Sequence, residues 1–322
     1  MRSRLAAALS AFALFLPFSH VGAQSYPDRP IKIIVPYGAG GVDVQLRLAQ
    51  AFMEPLLGQR LVIENRPGAG TIMGTSAVRN ASPDGYTLLF AGTSALSVIP
   101  HMKRVTYTMD DFVPIGNLTG TALALVARAD APYKTLAELI DYAKQNPGKV
   151  NMGSTGVGTT THMIGEALQL TAGIKFTHIP YTGNAQVVGA LLSGSTDVFI
   201  GIPGSFMSQV NAGTLRALAT TGSVRSEFLP QTPTIKESGL NVIEVTKFGL
   251  LAPKGMPPSA VNKLANALKV AVQGKDFVDK MRASYITPHY LDSAGFIDAL
   301  RQEDKYWSGM LSRPEFQALV EN

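Results

Sequence analysis

The sequence predicts an α/β protein made of two lobes. Three observations predict it. Short β-rich runs alternate with helical patterns in a β-α-β-α-β order near the N-terminus, and the same alternation resumes after about residue 124. In each block a glycine-rich loop stands between the end of a strand and the start of a helix, "GAGG" at 38–41 and "GSTGVGTTT" at 153–161. No segment after the N-terminal leader is long and apolar enough to span a bilayer.

Taken in order, "IKIIVPY" reads as a buried strand ending near Pro36, and Val44 to Leu57 has helical spacing that stops at Gly58. "RLVIEN" is a second strand ended by "RPGAG". A short helix over Ile72 to Asn80 leads through "SPDG" into the strand "YTLLFAG". This order predicts a parallel sheet covered on both faces. In the second block "ALALVAR" is a strand. "TLAELIDYAKQNPGK" is a helix with Thr135 as its N-cap and Pro147-Gly148 as its stop. "VNMGST", "FTHIPY", "DVFIGIP" and "LRALATTG" are further strands, and "VIEVTKFGLLAP" is a long one. Everything after Pro257 reads as mostly helix. A strand as long as the one around Phe248 has the length to cross between lobes.

Residues 1–23 have the form of a secretory signal peptide: Arg2 and Arg4, then the apolar "LAAALSAFALFLPF", then "VGA" before Gln24. The expected location is the periplasm. The net charge of +5 falls once the two leader arginines are removed, and the remaining basic residues are scattered, so no nucleic-acid partner is expected. Cysteine is absent, which excludes disulfides, thiol nucleophiles and thiolate metal sites. The fold must therefore rest on its core, for which 46% hydrophobic residues are sufficient.

The sequence carries little catalytic signal. No serine lies in a GxSxG elbow and no HExxH occurs; His162 and Glu166 share a helix face but make only two ligands. "GAGG" is not GxGxxG, and "GSTGVGTTT" lacks the lysine of a phosphate loop. No cofactor and no metal are expected. Both loops nevertheless stand where backbone N–H groups and the positive end of a helix dipole attract an anion. Glycine admits close approach there, and Ser154, Thr155, Thr159, Thr160 and Thr161 add hydroxyls. One such loop per lobe would clamp a small anion across a cleft.

"YPDRPIKIIVPYGAGG", "VIENRPGAG", "SPDGYTLLFAG", "GSTGVGTTTHMIGEAL", "HIPYTGNAQVVGALLSGSTDV", "LRALATTGSVRSEFLPQTPTIKESGL" and "FGLLAPKGMPP" resemble, in order, the signature blocks of the tripartite tricarboxylate transporter substrate-binding receptors, the Bug receptors. The resemblance covers nearly the whole mature chain. It implies a two-lobed periplasmic binding protein of type II topology, with the ligand cleft between the lobes and the C-terminal helices returned to the first lobe. One lobe would comprise residues 24–124 with 250–322, the other 125–249. The implied partners are a small carboxylate and a two-component membrane permease, and the expected state is a monomer without enzymatic activity. A sensing partner of a membrane signalling protein, or an enzyme acting on a carboxylic acid, are the alternatives.

The resemblance also carries over candidate ligand contacts. These are Tyr37, Gly40 and Gly41 from "PYGAGG", Thr93 and Ser94 from "AGTS", Thr155, Thr159, Thr160 and His162 from the "GSTGVGTTTH" loop, and Tyr181 and Asn184 from "PYTGNA". Asp43 follows the glycine pair by one residue where the family has two. Gly201 stands where many members have an aspartate, which argues against an amino-acid ligand. Lys247 stands where many have tryptophan. Lys247 would meet a second carboxylate, with Phe248 among the aromatics walling the middle, and the expected ligand is a dicarboxylate, aliphatic or aromatic.

Overall fold

The computed structural model describes residues 26–320, so the expected signal peptide lies outside the described residues. Eleven strands occur among them: β1 (Ile31–Val35), β2 (Leu61–Asn65), β3 (Thr87–Gly92), β4 (Phe112–Ala122), β5 (Ala124–Arg128), β6 (Val150–Ser154), β7 (Phe176–Pro180), β8 (Val198–Gly201), β9 (Leu215–Thr220), β10 (Val245–Pro253) and β11 (Pro288–Leu291). They form two sheets, ordered β11-β4-β10-β3-β1-β2 and β7-β6-β8-β5-β9. Each sheet is the floor of one lobe.

The expected parallel order holds for β2-β1-β3 and for β7-β6-β8. Both sheets are nevertheless mixed. β10 runs antiparallel to β3 and β4, and β5 antiparallel to β8 and β9. The cause is the crossing. β4 and β5 are separated by Leu123 alone, so the chain leaves the first sheet and enters the second almost without a loop. It returns along β10, which pairs with β4 from Val245 to Pro253. The helices Pro258–Gln273 and Ser293–Leu311 then pack on β4, on the first lobe.

Local chemistry accounts for the elements that place the site. Ile31, Ile33, Ile34 and Val35 are all buried, so β1 is covered on both faces. It delivers the chain into "PYGAGG", and the helix Val42–Leu57 follows, ending at Gly58 in the left-handed region (φ 68°). In the second lobe Thr135 accepts from the Glu138 N–H at 3.2 Å and starts the helix Leu136–Gln145. β6 feeds the "GSTGVGTTT" loop and the helix Thr160–Ala172, and β7 feeds "PYTGNA" and the helix Asn184–Ser193. Val98, Met102 and Trp307 of the first lobe share a buried apolar cluster with Met163 of the second.

Candidate functional site

The two lobes are shut against one another. The Gly38 N–H donates to the carbonyl oxygen of Thr182 at 2.7 Å. Around that bond the lobes meet with no room for side chains. A Cβ on Gly183 would stand 3.0–3.1 Å from three backbone atoms of Gly38, and one on Gly41 would stand 2.4 Å from Asn184 Nδ2. A second contact lies elsewhere on the interface. Tyr285 of the first lobe (φ 56°) packs edge-on against Phe228 at 5.8 Å, and Asn211 Nδ2 donates to its hydroxyl at 3.0 Å. Arg282 and Glu227 add an ion pair at 3.4 Å.

Between the lobes lies a cavity of ≈ 20 Å³. Tyr37, Val42 and Ser94 line it from one side, Thr155, Thr159, Thr160, Thr161 and Asn184 from the other, and Thr246 and Phe248 from the crossing strand β10. That volume holds about one water, so a carboxylic acid enters only if the lobes part. Of the expected residues, the structure therefore brings together Tyr37, Ser94, Thr155, Thr159, Thr160, Asn184 and Phe248. Val42, Leu123, Thr161, Ile202 and Thr246 join them. Period-two alternation along β10 was the signal available for Thr246, since it shares a face with Phe248.

The second lobe supplies donors. Neither the helix Thr160–Ala172 nor the helix Asn184–Ser193 is capped by a side chain, and the N–H groups of a first helical turn have no partner inside the helix. Both starts lie at the cavity wall. Gly156 (φ 130°) and Gly158 (φ 79°) hold the preceding loop in a backbone shape that favours glycine. Within that loop the Thr155 N–H donates to Thr161 Oγ1 at 2.9 Å, and the hydroxyls of Thr155, Thr159 and Thr161 lie 3.0–3.2 Å apart. Asn184 Oδ1 and Thr246 Oγ1 are buried and take no partner among the described residues.

The first lobe is different, because its donors are already engaged. Asp43 Oδ1 accepts from the N–H groups of Gly40 (2.9 Å) and Gly41 (3.2 Å), and Oδ2 from Arg47 Nε at 3.2 Å. The Asp43 carboxylate thus occupies the amides expected to receive a ligand. The Thr93 hydroxyl donates to Glu303 at 2.6 Å, as does Ser97 at 3.2 Å. Tyr37 remains a donor. Its oxygen accepts from the Gly92 N–H at 3.3 Å, and burial pushes its pKa up to about 12.

Three further residues stand away from the cavity. His162 accepts from the Gly158 N–H on Nδ1 at 3.2 Å, places Nε2 3.5 Å from Glu166, and stacks on His178 at 4.0 Å. It braces the loop from behind. Tyr181 lines an outer chamber of ≈ 370 Å³ at the cleft edge, with Pro36, Thr71, Thr155 and Gln186. Lys247, between Thr246 and Phe248, lies on the opposite face of β10, and its Nζ reaches the Val245 carbonyl at 3.4 Å. Its charge is felt by Glu244, Glu303 and His289. Burial pushes both glutamates above the usual carboxylate range; their mutual repulsion adds to the rise at Glu244, and Lys247 opposes it at both. Lys247 thus lies on the face of β10 opposite the cavity lining, where its charge opposes the rise at both buried acids.

A two-lobed α/β receptor fold closed over an interlobe cavity defines the class of this protein. Residues 45–313 match the model of the tripartite tricarboxylate transporter family receptor, and the chain belongs to that family. It is 36% identical over 294 residues to the "UPF0065 protein in gbd 5'region" of Cupriavidus necator, covering 91% of this chain and 89% of that protein. The periplasmic binding protein BugD matches at a TM-score of 0.85 and 30% identity, over 89% of this chain and 97% of that one. MatC from Rhodopseudomonas palustris with bound malate matches at 0.84 and 26%, over 89% and 100%. No helix among the described residues is long and apolar enough to cross a membrane.

Proposed function

We propose that this protein is a periplasmic solute-binding receptor that captures a small carboxylate between its lobes, closes over it, and presents the closed form to a two-component membrane permease. The observation that carries the reading is the convergence of two uncapped helix starts on one interlobe cavity. The carboxylate accepts from the first-turn N–H groups at Thr160, Thr161 and Ala185 and from neighbouring hydroxyls. Tyr37 and Ser94 complete the grip only when the cleft is shut, which is what favours closure. Charge-assisted hydrogen bonds contribute about 1.5–3 kcal/mol each, so three or four support micromolar binding after ordering costs.

Periplasmic placement is supported by the leader-like residues 1–23 and by the likeness to BugD. Delivery to a permease is supported by family membership. The test is a thermal-shift and calorimetric screen of carboxylic acids on the mature chain. One saturable site that raises Tm, with the acid recovered unchanged, is expected. Binding of none of the acids, or turnover of one, would reject the reading.

A further inference from the structure

We infer that Asp43 sets the charge class of the guest: the receptor selects acids with one carboxylate over dicarboxylates of the same length. The inference rests on the reading of the second-lobe helix starts as the carboxylate site. Two glycine amides at the mouth of a helix are a ready place for an anion. In the first lobe that place is filled from within. Asp43 is only 3% exposed, lies on both amides with one oxygen, and is tied by Arg47 through the other.

The rest of the first-lobe wall offers a second carboxylate nothing better. The cavity lining contains no lysine, arginine or histidine. Behind it Glu303 is held by Thr93 and Ser97, and Lys247 lies on the opposite face of β10 with its Nζ at the Val245 carbonyl. Tyr37 is neutral. A second carboxylate in this cavity would be desolvated close to Glu303 with no cation in the lining to meet it, Lys103 standing instead in the outer chamber. Val42, Leu123, Ile202 and Phe248 instead suit an apolar body, with Ser94 and Thr246 able to reach a hydroxyl. The guest is thus a monocarboxylate with an aliphatic or hydroxylated body.

The test compares butyrate with succinate and hexanoate with adipate by titration calorimetry on the mature chain. The wild type should bind the monoacid of each pair about tenfold more tightly or better, a difference of about 1.4 kcal/mol. Asp43→Ala frees both amides and should move the diacid-to-monoacid ratio about tenfold towards the diacid. Asp43→Asn keeps an oxygen on the amides and removes the charge, so it should move the ratio the same way by less. A wild type that prefers diacids overturns the inference, as does an unmoved ratio in both variants. If no acid of either series binds, the carboxylate reading falls and takes the inference with it.

Discussion

Gly38 and Thr182 are joined by a main-chain hydrogen bond of 2.7 Å that runs from one lobe to the other. The bond forms only because Gly183, next in sequence, has no side chain: a Cβ there would meet three backbone atoms of Gly38. Gly183 has extended φ and ψ (−175°, 166°), which any residue can adopt. Its requirement for glycine is therefore one of closure and not of folding.

Gly183→Val should fold normally and fail to close. Apparent affinity falls in proportion to the closed population, so the loss should be about tenfold or more. Calorimetry measures it, and small-angle scattering should show a larger radius of gyration for the variant in the presence of saturating ligand. Unchanged affinity would mean that the two loops do not need to touch.

Tyr285 anchors the other interlobe contact. Tyr285→Ala removes its edge-on contact with Phe228 and the hydrogen bond from Asn211. Loss of an aromatic pair costs about 1 kcal/mol, a factor of about 5 in the closed-to-open ratio. Ligand affinity should fall by that factor, and amide exchange around Phe228 should rise. No change in either would show that the contact contributes nothing to closure.

The buried Glu244–Glu303–Lys247 group should make stability depend on pH. Burial and the Glu303 charge hold Glu244 above its ordinary value of 4.5 in the folded protein. A group with a raised folded pKa contributes stability that is fully present below the unfolded value and is lost as pH rises through the folded one. Glu244→Gln should flatten that loss and raise the urea midpoint above neutral pH. A variant with the wild-type pH slope would remove Glu244 from the account.

His178 acts in the opposite direction. Burial, with the neighbouring His162 adding, lowers its pKa from 6.5 to about 4. The unfolded chain binds a proton that the folded chain refuses, so stability from this group is present above pH 6.5 and lost as pH falls towards 4. His178→Gln should flatten the acid side of the stability curve, read by urea titration at intervals between those limits. Because the imidazole also meets Ser154 at 2.6 Å, ligand affinity is the second readout: a change there would extend the role of His178 to the loop itself.

Much of the fold was legible because its strands are apolar runs bounded by glycine and proline. β1, β2, β3, β6, β7, β8 and β9, and the helices started by Thr135 and stopped by Gly58, fall where the pattern placed them. β4 was not legible. Its sequence "FVPIGNLTGTA" carries Pro114, Gly116, Asn117 and Gly120, which weaken a strand by propensity, and its place between β10 and β11 is a tertiary fact. β11 is four residues long and was absorbed into a helical reading.

The loops of the site were legible from their glycines, but the commitments of their side chains were not. Thr93 is claimed by Glu303 from 210 residues away, and no local pattern announces that. Asp43 is the nearer miss. An acid in the first turn of a helix, three residues after Gly40, is the local arrangement in which a carboxylate folds back on the loop's N–H groups.

The most direct measurement is a crystal structure of the mature chain with its tightest-binding acid. The account predicts the carboxylate inside the closed cleft, its oxygens about 3 Å from first-turn nitrogens at Thr160, Thr161 or Ala185, with Asp43 still on Gly40 and Gly41. A carboxylate seated on Gly40 and Gly41 with Asp43 displaced, or bound outside the cleft, would contradict it.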